Sequence, residues 1–98
     1  MNIELHPQAD EEFAAQVEFY EDQEPGLGHR FYREVIACLE WIAENHAVPR
    51  MRMDYRRVNL KVFPFCIAYV LEGDSVWVLA VAHSHRTPGY WTRRMKNP

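Results

Sequence analysis

The chain has 98 residues, 48% of them hydrophobic and 13% aromatic, with a formal net charge of −3. That length fits one domain spanning residues 1–98 with a small core. No apolar run reaches the roughly 20 residues that a membrane helix needs, and residues 1–5 lack the basic flank and apolar stretch of a secretory signal.

Chain order begins with a short strand expected at residues 3–6. Pro7 suits the first turn of a helix, and Asp10, Glu11 and Glu12 complement its positive end. Ala9, Phe13, Val17 and Tyr20 follow at helical spacing, which predicts a helix from Pro7 to about Gln23. Glu24-Pro25-Gly26-Leu27-Gly28 breaks it. A second helix is expected over about residues 29–45, with a core stripe of Phe31, Val35, Cys38, Leu39 and Ile42. Tyr32, Ile36 and Trp41 fall outside that stripe, so this helix is apolar on more than one face.

After Pro49 the period changes to that of strands. Residues 52–60 alternate in polarity, and residues 62–71 are nearly continuously apolar. Pro64 interrupts the second run and argues for a bulge or edge there. Glu72-Gly73-Asp74 turns the chain, and residues 75–82 return as the last strand. The expected fold class is α+β. An N-terminal strand and a two-helix antiparallel hairpin pack on one face of a C-terminal antiparallel sheet, in the order β-α-α-β-β-β. Phe13, Val17, Phe31, Val35, Leu39, Ile42, Ile67, Leu79 and Val81 are the expected core.

Charge is unevenly divided. Residues 1–48 carry eleven acids against Arg30 and Arg33, while residues 49–98 carry nine bases against three acids. The basic half also holds the segment His83-Ser84-His85-Arg86-Thr87-Pro88-Gly89-Tyr90-Trp91-Thr92-Arg93-Arg94. Gathered cations, titratable rings and aromatic faces suit an acidic or phosphate-rich partner. Cys38 and Cys66 are isolated thiols without ligand spacing, read as small core residues in a reducing cytoplasm. His83 and His85 point to the same side of a continuing strand and could chelate, but two ligands are not a site. No metal or cofactor is therefore expected. The carboxylates of the first helix, Glu11 and Glu12 among them, read as a solvated face.

The ordered elements and their joints resemble the toxin superfamily of RelE and ParE from bacterial type II toxin–antitoxin modules. His6-Pro7-Gln8-Ala9 opens the first helix, and Pro25-Gly26-Leu27-Gly28 precedes Phe31. Phe63-Pro64-Phe65-Cys66-Ile67-Ala68-Tyr69 forms the central strand. Val78-Leu79-Ala80-Val81-Ala82-His83 leads into Arg86-Thr87-Pro88-Gly89-Tyr90-Trp91. The resemblance implies a growth-inhibiting, cytoplasmic toxin that a cognate antitoxin neutralises, in a complex that could be of higher order.

Two activities occur in that superfamily. RelE-like toxins cleave ribosome-bound mRNA, whereas ParE-like toxins inhibit DNA gyrase. RNA cleavage needs a base, cations on the phosphorane and an acid. His83 and His85 could serve as base or acid. Arg57, Lys61 and Arg86 could hold phosphate, and Tyr90 could stack on a base or donate a proton. By approximate matching, however, RelE has arginines where this chain has Cys66 and Ser84. Lys61 and Tyr90 do fall on RelE-like positions. The Phe-Pro-Phe-x-Ile-x-Tyr strand and the His83-x-x-Arg86 segment look closer to ParE. Under that reading Tyr90, Trp91, Arg93 and Arg94 form a contact surface for a protein target, because such residues dominate interface hot spots. A non-catalytic RNA-binding module is a further alternative, disfavoured by the overall acidity.

Overall fold

The computed structural model describes residues 1–96. Strand β1 (Asn2–Leu5) is followed by helices α1 (Pro7–Gln23) and α2 (Leu27–Asn45). Strands β2 (Met51–Arg52), β3 (Tyr55–Asn59), β4 (Phe65–Glu72) and β5 (Ser75–His83) follow. A short helix α3 (Gly89–Thr92) runs into a 3₁₀ turn (Arg93–Lys96). The five strands form one sheet in the order β1-β5-β4-β3-β2. The α+β architecture is as expected, with β1 as a member of the sheet. It pairs parallel to β5, while all other neighbours are antiparallel.

The helix starts follow from local chemistry. Pro7 occupies the first turn, where its missing N–H costs nothing, and His6 Nδ1 accepts from the Gln8 amide at 3.0 Å. Between the helices, Gly26 takes φ 91°, a conformation that favours glycine. The Glu21 carboxylate then accepts from the Gly26 and Gly28 amides at 2.8 and 3.0 Å and caps α2 from α1. Gly28 is needed for close approach: a Cβ there would lie 2.4 Å from the Val17 carbonyl oxygen. Helix α2 consequently begins at Leu27, two residues before the expected start.

Two strand boundaries differ from the sequence reading. Residues 52–60 are not one strand but the β2–β3 hairpin, turned at Met53-Asp54 with Met53 at φ 50°. Alternation of polarity persists across that turn and hides it. Strand β4 begins at Phe65, after Pro64, because the loop before it bonds elsewhere. The amides of Lys61, Val62 and Phe63 all donate to the Glu34 carboxylate, at 3.1, 2.9 and 3.1 Å.

The sheet buries both faces. On the helix side, Phe31, Val35 and Ile42 meet Ile67, Tyr69, Val76 and Val78. Of the expected core residues Val17 and Cys38 are only half-buried. The other face is covered by the C-terminal segment. Trp91 packs on Tyr55, Cys66, Ala68, Leu79, Ala80 and Ala82. A bulge in β5 makes this possible: Ala80 pairs with Ala68 and Val78 with Tyr69, leaving Leu79 as the extra residue. Leu79 and Ala80 therefore both serve the second face, while Val78 and Val81 serve the first.

Candidate functional site

The segment after β5 is built by its own turn. Ser84 donates its amide to the Pro64 carbonyl, and Arg86 donates to the His83 carbonyl, both at 2.9 Å. His83 Nδ1 accepts from the His85 amide at 3.2 Å, so this imidazole caps the strand end. Its ring lies edge-on to Phe65, 5.6 Å between centroids, and 5.3 Å from the His85 ring. Both histidines and Arg86 are exposed. They stand beside a depression of about 460 Å³ along α1, lined by Glu12, Phe19, Phe65, His83, Arg86 and Tyr90 among others.

Tyr90 forms the wall of that depression. The Arg86 guanidinium lies 3.7 Å from its ring centroid and that of Arg94 4.6 Å away. The Tyr90 hydroxyl donates to Glu12. Arg94 donates to both Glu12 oxygens, at 3.1 and 2.6 Å, and to the carbonyl of the bulge residue Leu79 at 2.8 Å. The hydrogen bonds it donates to Glu12 hold the Arg94 guanidinium above its ordinary range, so it stays charged. Glu12 thus ties the tail to α1 across 82 residues of sequence.

The sequence-derived residues separate into groups. His83, His85, Arg86 and Tyr90 come together. Arg57 reaches this end of the sheet by donating to the Ser84 carbonyl at 2.8 Å. Arg93 is exposed on the tail. Lys61 lies in a different depression, between α2 and β3, whose lining shares no residue with the first. Two expectations need correction. Trp91 is 0% exposed and Arg94 6%, so neither presents the contact surface read from the sequence. Both hold the tail against the sheet. Tyr90, expected to stack on a base, has cations at its ring and its hydroxyl bound to Glu12.

Cys66 and Ser84, the positions where RelE has arginines, offer no cation. Cys66 is fully buried, and burial pushes its thiol pKa up. The Ser84 carbonyl is occupied by Arg57. Glu12 is the residue the sequence reading missed. The available signal was its place at helical spacing from Ala15, Gln16 and Phe19, a second stripe on α1. Among the described residues, no group of three or more His, Cys, Asp or Glu could hold a metal ion. None of the described helices is long and apolar enough to cross a membrane.

Residues 3–88 match the family described as the ParE toxin of the type II toxin–antitoxin system parDE. The chain belongs to the ParE toxin family. The fold of this ParE-family toxin is similar to a chain of the chromosomal ParDE toxin–antitoxin system from P. aeruginosa. The two superpose with a TM-score of 0.73 at 15% sequence identity, over 85% of this chain and 95% of that one. No functionally curated protein matches the sequence significantly. The family match ends at residue 88, just before α3, so the roles of Tyr90, Trp91 and Arg94 in seating the tail rest on geometry.

Proposed function

We propose that this ParE-family toxin acts in the cytoplasm on DNA gyrase, through the exposed surface of His85, Arg86 and Arg93 and the depression beside Tyr90. A cognate antitoxin neutralises it. The observation that carries the choice of target is the seat of Trp91. An mRNA-cleaving site needs cations around a scissile phosphate. Here the sheet face bearing Cys66 is apolar and sealed by Trp91, which is itself fully buried. The cations that remain stand at the rim, where they suit contact with a protein.

The test uses purified toxin in two reactions, one with gyrase, ATP and relaxed plasmid, the other with ribosomes and mRNA. The expected result is loss of supercoiling with intact mRNA. His83→Gln and His85→Gln, which keep a polar side chain, should weaken that inhibition much less than Arg93→Ala does, because an interface does not need an imidazole to move protons. Cleaved mRNA with normal supercoiling would refute the reading.

A further inference from the structure

One rim of the sheet is cationic and not neutralised. In the β2–β3 hairpin Arg52 stands opposite Tyr55, and in the next ladder Arg57 stands opposite Ala68. Tyr55 and Ala68 both belong to the tail-side cluster. Residues opposite each other in a ladder share a face, so Arg52 and Arg57 rise on the tail side. Burial raises the Cys66 thiol pKa, and the charges of Arg57 and Arg52 both act against that rise, so the two guanidinium groups lie near one point. Arg86 joins them from the turn after β5, two residues beyond the Ser84 carbonyl that Arg57 holds.

Two of these groups are held in place by neutral partners. Arg57 Nε donates to Asn59 Oδ1 at 3.2 Å, and its Nη2 donates to the Ser84 carbonyl at 2.8 Å. The Arg86 guanidinium rests on the Tyr90 ring. Neither arrangement cancels the charge. Among the described residues the one ion pair is Arg94–Glu12, so Arg52, Arg57 and Arg86 have no carboxylate within ion-pair distance. Of the three acids after residue 48, Glu72 and Asp74 sit at the β4–β5 turn, at the end of these strands away from Phe65 and His83, which leaves Asp54 at the hairpin turn.

Beside Tyr90 the rim adjoins the depression and its exposed Phe19, an apolar anchor that a protein partner can use. The Arg52–Arg57 stretch has no such anchor. Tyr55 and Trp91 on that face are buried, and the exposed Met51 stands opposite Arg56, whose other partner Tyr69 belongs to the helix-side cluster. Charge without apolar surface suits a phosphate backbone, which is gripped by spaced cations alone. A guanidinium already fixed in position loses less freedom on meeting a phosphate.

We propose that Arg52, Arg57 and Arg86 grip the phosphate backbone of duplex DNA, the segment that gyrase holds when the toxin reaches it. The source of the DNA rests on the gyrase reading, and the proposal adds a nucleic-acid contact to the protein contact made beside Tyr90. Because the whole chain carries −3, the free toxin holds DNA weakly, and gyrase raises the local concentration of duplex.

The test first leaves gyrase out. Wild-type toxin titrated onto a short fluorescent duplex should bind with a Kd of about 10⁻⁵ M at low salt, and the log–log slope of affinity against salt should be about −2.7 for three phosphates. Arg57→Gln and Arg52→Gln should each make that slope shallower by about 1. Arg52 is exposed, and its side chain makes no hydrogen bond among the described residues, so Arg52→Gln leaves the fold intact. Arg30→Gln, exposed on α2, should change nothing. Fluorescent polyglutamate should bind more weakly than the duplex. Tighter binding of polyglutamate would overturn the proposal in favour of an acidic protein segment. So would the absence of duplex binding at low salt, or duplex binding that the double variant R52Q/R57Q leaves intact. Supercoiling is then read separately, where the double variant should need about tenfold more toxin for half inhibition. Normal inhibition by that variant would also overturn the proposal. Wild-type toxin that binds duplex but leaves supercoiling normal would overturn the gyrase reading alone.

Discussion

The two faces of the sheet are covered in different ways. One carries two long helices and an aromatic cluster in which Phe31 touches Phe13, Tyr20, Phe63 and Phe65, with ring centroids 5.1–6.0 Å apart. The other carries a short tail held by one tryptophan on small side chains and by one carboxylate. The Trp91 indole N–H is buried with no acceptor among the described residues, which costs stability. The contrast separates two tasks. The helix side supplies most of the folding free energy, and the tail side is a thin cover that sets the exposed cationic rim in place.

The largest effect should come from the helix side. Phe31→Ala removes the centre of the aromatic cluster and should cost about 3–5 kcal/mol in denaturant unfolding. If it costs no more than changes in the tail, the contrast fails. Trp91→Ala should cost about 3 kcal/mol, the lower end for its type, because small side chains beneath it leave little else to lose. Growth inhibition should disappear with it, while the complex with the antitoxin survives. Trp91→Phe should stay within about 1 kcal/mol of wild type, since it keeps apolar volume and removes the unpaired N–H.

Glu12→Gln sharpens the comparison further. It should cost about 2 kcal/mol, because Arg94 loses its charge-assisted partner while mostly buried. Amide exchange should quicken in residues 89–95 and not in α2. Equal acceleration in both would mean that the tail and the helix side unfold as one unit. The smallest effect is on the helix side and depends on pH. Hydrogen bonds from Gly26 and then Gly28 hold the Glu21 carboxyl below its ordinary value of 4.5. The folded pKa is the lower one, so this contribution is full above 4.5 and is lost as pH falls through the folded value. Glu21→Gln should flatten the acid limb of a stability-against-pH curve, and an unchanged limb would assign that loss to other carboxyls.

The elements that sequence revealed are those fixed by local period. Apolar spacing placed α1 and α2, and the surplus apolar residues Tyr32 and Trp41 are indeed left partly in water, 45% and 42% exposed. The β2–β3 turn was hidden because Met53 takes a left-handed conformation without the glycine that normally marks one. The tail was harder for a different reason. Eight residues with one fully buried anchor, flanked by the half-buried Tyr90 and Met95, have no period to read, and burial of Trp91 depends on Ala68, Ala80 and Ala82 being small on two other strands. The Glu12–Arg94 pair joins residues with no local signature of partnership. Local pattern therefore placed His83, His85, Arg86 and Tyr90 in one segment, where they are neighbours in space, yet could not say that Trp91 and Arg94 face inward.

The three tryptophans are spread over these regions in a useful way. Trp41 lines the groove between α2 and β3, Trp77 is half-buried with its ring 5.9 Å from that of His6, and Trp91 is sealed under the tail. Each indole samples a different polarity, so the chain carries its own optical reporters. In variants keeping one tryptophan and replacing the others with phenylalanine, Trp91 should emit furthest to the blue and Trp41 furthest to the red. Undocking of the tail should then shift the Trp91 band to the red while the Trp41 band stays still.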